Sequence, residues 1–168
     1  MPLFFATRTA LDAGLYQRRP RESQSAEAEA LLRDLRSASG LAAGPSSKSH
    51  SRALSAAACA EAGQVGVDVE WFGAARNMGG LSRFLLDTDD GADDALGLLS
   101  VWCYREAYFK AFGDFPTLAQ RRALFGRPRL WGEAQAAEDC RVLFQRLDGD
   151  FLLCALWDGS GDFIEQRL

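Results

Sequence analysis

Hydrophobic and polar positions along the chain fall into short runs with two different periods. Residues 3–7 are apolar and aromatic and read as an opening strand, followed over 15–25 by a polar, basic stretch broken by Pro20. That stretch reads as a loop carrying Arg18, Arg19 and Arg21. Over 26–37, Leu31, Leu32 and Leu35 share one face at helical spacing while Arg33 and Arg36 lie off it, which predicts an amphipathic helix. The Ser, Gly, Ala and Pro of 37–47 read as a connector. Residues 53–60 are small and apolar, and Gly63 followed by 65–69 suggests a hairpin turn between two strands. A loop or short helix spans 70–80, and a helix or turn lies around 81–86. The strongest helix covers 96–112, with Gly113 as its stop. Strands are expected at 126–130, 140–147 and 150–156, with Asp148-Gly149 as the turn between the last two. The order strand, helix, hairpin, helix and then further antiparallel strands predicts an α+β architecture, and helix and hairpin recur in both halves as in a pseudo-repeat.

A chain of 168 residues that is 48% hydrophobic can bury one core, or two small lobes sharing one. The formal charge of -4 argues against a general nucleic-acid backbone binder and confines any anion site to a local pocket. Apolar runs such as 151–157 fall well short of the roughly 20 residues of a membrane-spanning helix. The first residues lack the basic start and apolar stretch of a secretory signal, so the expected compartment is the cytoplasm. Cys59, Cys103, Cys140 and Cys154 have no zinc-ligand spacing and read as buried reduced thiols. Asp87, Asp89, Asp90, Asp93 and Asp94 lack calcium-loop spacing and read as a solvated turn and helix start.

Three segments carry residue types suited to phosphate chemistry. In Gly66-Val67-Asp68-Val69-Glu70, strand alternation projects Asp68 and Glu70 from one face. Two carboxylates on a stiff strand could hold a hard divalent cation, or simply form the polar face of an edge strand. In the helix from Trp102 to Lys110, Glu106 and Lys110 are four apart and share a face, which is also the spacing of an ordinary surface ion pair. His50, the one histidine, stands among Ser47, Lys48, Ser49 and Ser51, donors of the kind that hold phosphate oxygens; its alternative is a structural side chain.

In order and approximate spacing, Ser49-His50-Ser51, Gly66-Val67-Asp68-Val69-Glu70 and Trp102-Cys103-Tyr104-Arg105-Glu106-Ala107-Tyr108-Phe109-Lys110 resemble the motifs of the 4'-phosphopantetheinyl transferase superfamily, of the kind that activates surfactin synthetase. The resemblance implies two similar lobes in pseudo-twofold arrangement, each an antiparallel sheet packed with a helix, with the active site in the cleft between them. The lobes would be 1–65 and 66–168. It also implies transfer of the 4'-phosphopantetheine arm of coenzyme A to a serine of an apo acyl or peptidyl carrier protein, releasing 3',5'-ADP. On this mapping Asp68, Glu70 and Glu106 are the magnesium ligands, and Lys48, Ser49, His50 and Lys110 contact coenzyme A. Glu106 and Lys110 are the catalytic pair, and the chain acts as a monomer.

Three departures stand out, one of them a shortened first lobe. The lysine usual before the catalytic glutamate is Arg105, and the Gly-(Lys/Arg)-Pro step usual before Ser-His-Ser has Gly44-Pro45 as its nearest echo. The 3'-phosphate ligand is then to be found among Arg18, Arg19, Arg21, Arg33, Arg36 and Lys48. A carrier-binding protein of the same fold without turnover, and a metal-dependent phosphohydrolase, are the competing activities.

Overall fold

The computed structural model describes residues 1–10, 14, 19–73, 76–128, 130–148 and 150–168. Arg18 and Gly149, named above as a candidate anion ligand and a turn residue, lie outside them. In chain order the elements are β1 (Leu3–Thr9), α1 (Arg21–Ser39), β2 (Ser46–Ser51), β3 (Leu54–Ala60), β4 (Val65–Trp71), α2 (Met78–Leu86), α3 (Ala95–Phe112), α4 (Leu118–Phe125), β5 (Ala134–Ala136), β6 (Arg141–Leu147), β7 (Phe151–Trp157) and β8 (Phe163–Glu165). The class is α+β, with two four-stranded sheets ordered β2-β3-β1-β8 and β4-β7-β6-β5. The second sheet is antiparallel throughout, whereas β8 joins β1 in parallel. Among the described residues no helix is long and apolar enough to cross a membrane.

Strand alternation sorts the apolar side chains into three cores. Leu3 and Phe5, then Leu54, Ala56, Ala58 and Ala60, meet Val65, Val67, Val69, Phe151, Leu153, Ala155 and Trp157 between the sheets. The intervening residues of β1 and β3, Ala6, Ala57 and Cys59, turn outward to Leu31, Leu32 and Leu35 of α1. Leu152, Cys154 and Leu156 turn outward to α3. The helix stripe on α1 is the one its leucine spacing predicts. All four cysteines are unpaired and buried, and burial raises each thiol above its ordinary value.

Several elements differ from the sequence reading. The helix α1 starts at Arg21, not beyond residue 25, because Pro20 sits at its N-cap, where a missing N–H costs nothing. The expected hairpin across Gly63 is instead a change of sheet: β3 pairs with β1 and β2, and β4 with β7. The true hairpin there is β2–β3, turned at Arg52, which takes the left-handed backbone (φ 58°), and Ala53. No strand forms among the described residues of 126–130; the helix α4 precedes them, opened by a capping box of Thr117 and Gln120. The aspartate cluster does serve a turn and a helix start. Asp87 is the left-handed C-cap of α2, and Asp94 accepts from Gly97 N at 2.8 Å as the N-cap of α3.

The approach of α3 to β4 is set by Gly66. A Cβ there would overlap the Ala107 carbonyl oxygen outright and lie 2.8 Å from the Ala107 carbonyl carbon and 3.2 Å from Ala111 Cβ. Helix backbone cannot move aside as a flexible side chain can. Gly66→Ala should therefore destabilise the protein by about 1–3 kcal/mol or more in chemical denaturation. An unchanged midpoint would show that α3 does not depend on this contact.

Candidate active site

The strand β2 is polar on both faces, and each face has its own partner. Ser47, Ser49 and Ser51 point to β4, whose N–H groups on that side have no strand beside them because β4 ends its sheet. Their hydroxyls accept from Val67 N at 3.0 Å, Val69 N at 3.3 Å and Trp71 N at 3.1 Å. Ser46, Lys48 and His50 point to α1. Arg36 donates to Ser46 Oγ at 2.9 Å, Lys48 is ion-paired with Glu29, and Gln24 Oε1 lies 3.1 Å from His50 Nδ1. Ser49 and His50 are thus neighbours in sequence on opposite faces of one strand.

On β4, the alternation that sends Val67 and Val69 into the inter-sheet core sends Asp68 and Glu70 toward α3. Trp102, Glu106 and Lys110, spaced by four, form the stripe of α3 that faces them. Lys110 Nζ donates to Asp68 Oδ1 at 2.8 Å and to the Val67 carbonyl at 3.0 Å. Ser49 Oγ donates to the same Asp68 oxygen at 2.9 Å. Trp102 Nε1 donates to Glu70 Oε1 at 3.1 Å, and Arg76 Nη2 donates to Glu70 Oε2 at 3.3 Å and to the Trp71 carbonyl at 2.6 Å. Glu106 is ion-paired with its neighbour Arg105. The surface-pair reading of Glu106 and Lys110 therefore gives way: each has a different partner.

Asp68 is 5% exposed, and its Oδ2 is buried without a hydrogen-bond partner. Burial outweighs the attraction of Lys110 and raises the carboxyl to about 6. His50 is half-buried and shifted down, first by burial and then by the nearby charges of Lys110 and Arg21. A pocket of about 470 Å³ opens beside these groups, lined by Arg19, Gln24, His50, Arg52, Glu70 and Arg76 together with Ser51 and Trp71. Its cations suit an anion, and Glu70 forms its edge toward Asp68. A hollow of about 660 Å³ lies along α1 at Arg21, Glu29 and Lys48.

The structure therefore brings together Ser49, Asp68, Glu70 and Lys110, and places His50 in the adjoining pocket. Lys48 faces α1, and Glu106 shares the stripe of Trp102 and Lys110 with its carboxylate turned to Arg105. Among the described residues no three His, Cys, Asp or Glu side chains form a ready metal cluster. The orphaned Asp68 oxygen beside the Glu70 carboxylate nevertheless fits a hard cation that takes few protein ligands and completes its shell with water and phosphate. Sequence reasoning missed Arg76, Gln24 and the serine ladder; the i, i+2, i+4 spacing of Ser47, Ser49 and Ser51 was the available signal. No protein-family model matches the chain, and no curated protein matches it significantly.

Because the folded state holds the Asp68 proton more tightly than the unfolded chain does, this group's contribution to stability is full below 3.8 and is lost as pH rises through about 6. With chelator present, the wild type should lose up to about 3 kcal/mol from this source between about pH 4 and pH 7. Asp68→Asn, which copies the neutral carboxyl, should flatten that part of the profile in urea denaturation. Superposable profiles would place the Asp68 proton elsewhere.

Proposed function

We propose that this chain is a magnesium-dependent 4'-phosphopantetheinyl transferase, moving the phosphopantetheine arm of coenzyme A to a serine of an apo acyl or peptidyl carrier protein. The observation that carries the reading is the meeting of the three motif segments at one place: Ser49 and Lys110 both bond Asp68, and Trp102 bonds Glu70. Side chains that only decorated separate surfaces would have no reason to converge on two carboxylates.

A two-lobed arrangement is supported by a repeat of connectivity. The run β1-α1-β2-β3 gives the strand order β2-β3-β1 with α1 on the outer face, and β4-α3-β6-β7 gives β6-β7-β4 with α3 on the outer face. On this reading the lobes are 1–65 and 66–168, with β8 returning to the first sheet.

In this reading Asp68, Glu70 and Glu106 would hold magnesium, which when bound neutralises charge on the pyrophosphate oxygens. His50, with the arginines of its pocket, binds the phosphates of coenzyme A. Glu106 takes the proton of the carrier serine as its Oγ forms a bond to the phosphorus that carries pantetheine. The bond from that phosphorus to the bridging oxygen breaks, and Lys110 balances the charge on, or protonates, the departing 3',5'-ADP. Glu106 must leave Arg105 to do this, which makes that ion pair part of the resting state.

Incubating the protein with coenzyme A, magnesium and an apo carrier should raise the carrier's mass by one phosphopantetheine. Glu106→Gln should slow transfer at least ~100-fold. Lys110→Ala should slow transfer with a smaller effect on cation affinity, and His50→Ala should weaken coenzyme A binding by about 1.5–3 kcal/mol. A carrier of unchanged mass, or wild-type rates in all three variants, contradicts the proposal.

A further inference from the structure

Two carboxylates stand on one face of β4, and each carries a cation of this chain. Lys110 and Ser49 both bond Asp68 through Oδ1, and its Oδ2 is bare. Glu70 differs. Its Oε1 accepts from Trp102 Nε1 at 3.1 Å and its Oε2 from Arg76 Nη2 at 3.3 Å, so both oxygens are engaged. Arg76 precedes α2 and belongs to none of the three motif segments. The same Nη2 donates to the Trp71 carbonyl at 2.6 Å, which holds the guanidinium at the end of β4.

A divalent cation held by Asp68 and Glu70 would meet the two carboxylates differently. At Asp68 it can use Oδ2 without disturbing Lys110. At Glu70 it has to share the carboxylate with a donor, and the two donors are not alike. Trp102 is neutral, and its indole packs against the core beneath α3, so it can stay. Arg76 carries a full charge at hydrogen-bond distance from the carboxylate, and two cations on one carboxylate repel. Its side chain has another place to go, because Arg76 also lines the pocket of about 470 Å³ with Arg19, His50 and Arg52. There Arg19 is ion-paired with Glu27, and Arg52 lies 4.4 Å from the centroid of the Trp71 ring. Arg76 is the pocket arginine whose ion pair is with Glu70, a proposed metal ligand.

We infer that Arg76 is an exchange residue of this site: it neutralises Glu70 in the metal-free protein and moves to a phosphate oxygen of coenzyme A once Glu70 binds magnesium. This rests on the transferase reading and adds to it the residue that couples the two ligands. The Glu70–Arg76 pair competes with both of them, because Arg76 has to leave Glu70 before either can be held. Whichever ligand binds first breaks the pair, and the second binds without that cost. The two ligands therefore bind with positive coupling, and by linkage each raises the affinity of the other by the same factor.

The test is calorimetric titration of magnesium into wild type and Arg76→Gln, first without and then with saturating coenzyme A. Arg76→Gln removes the charge but keeps a side-chain donor for the Trp71 carbonyl. Without coenzyme A it should bind magnesium about three- to fivefold more tightly than wild type, the gain from losing a competing cation. A variant that only loosened the site would bind magnesium more weakly. With coenzyme A bound, when Arg76 has already left Glu70, the two proteins should bind magnesium within about twofold of each other. If Arg76→Gln does not fold, Arg76→Met decides the matter. Equal or weaker magnesium binding by the folded variant without coenzyme A overturns the exchange, as does a gain that persists unchanged with coenzyme A bound. Either result leaves the transferase reading standing so long as wild type binds magnesium with coenzyme A. No magnesium binding by wild type in the presence of coenzyme A overturns both.

Discussion

The free edge of β4 is the constraint on which the rest of the structure depends. Its outward N–H groups at Val67 and Val69 are buried, and a buried N–H left without an acceptor costs about 1–3 kcal/mol. A neighbouring strand would satisfy them but would also close the sheet. Hydroxyls from Ser47 and Ser49 supply the acceptors instead, and Ser51 does the same for Trp71 N. The two sheets are thereby joined through side chains, in a fixed register, along the line where the candidate site lies.

That register decides the chemistry. Locking Ser49 against Val69 N places its hydroxyl on Asp68 Oδ1, and Gly66 lets α3 come close enough for Lys110 to reach the same oxygen. Two donors converge on one oxygen and leave the other buried and bare. The arrangement stores an unmet electrostatic demand, visible in the raised Asp68, that a hard cation would satisfy. On the far face of β2, His50 and Gln24 open into a pocket of arginines. One serine-rich strand thus connects the carboxylate centre and the arginine-lined pocket.

The helices α1 and α3 and the buried strands were legible in the sequence because their signals are local: the leucine spacing of α1, the length of α3 with its Gly113 stop, and the apolar positions of β3, β4 and β7. The carboxylate pair was legible for the same reason, since alternation alone puts Asp68 and Glu70 on one face. The strand β2 was not. Serines favour turns and caps by their own propensity, and only pairing with β3 and the demand of the β4 edge make 46–51 a strand. The change of sheet after β3 was hidden because Gly63 looks the same in a hairpin as in a crossing. The helix α4 was missed although Thr117 and Gln120 spell a capping box, and the short strands β5 and β8 carry too few residues for any period to show. Arg76 lies outside every motif and meets Glu70 only through the fold.

We propose that the serine ladder builds one site in which a divalent cation on Asp68 and an anion beside His50 are bound together. Calorimetric titration of coenzyme A with magnesium present, and again with chelator, tests this without turnover. Magnesium should tighten coenzyme A binding to the wild type about tenfold or more and should have little effect on Asp68→Asn. Equal affinity with and without magnesium in the wild type, or the same enhancement in Asp68→Asn, would contradict it.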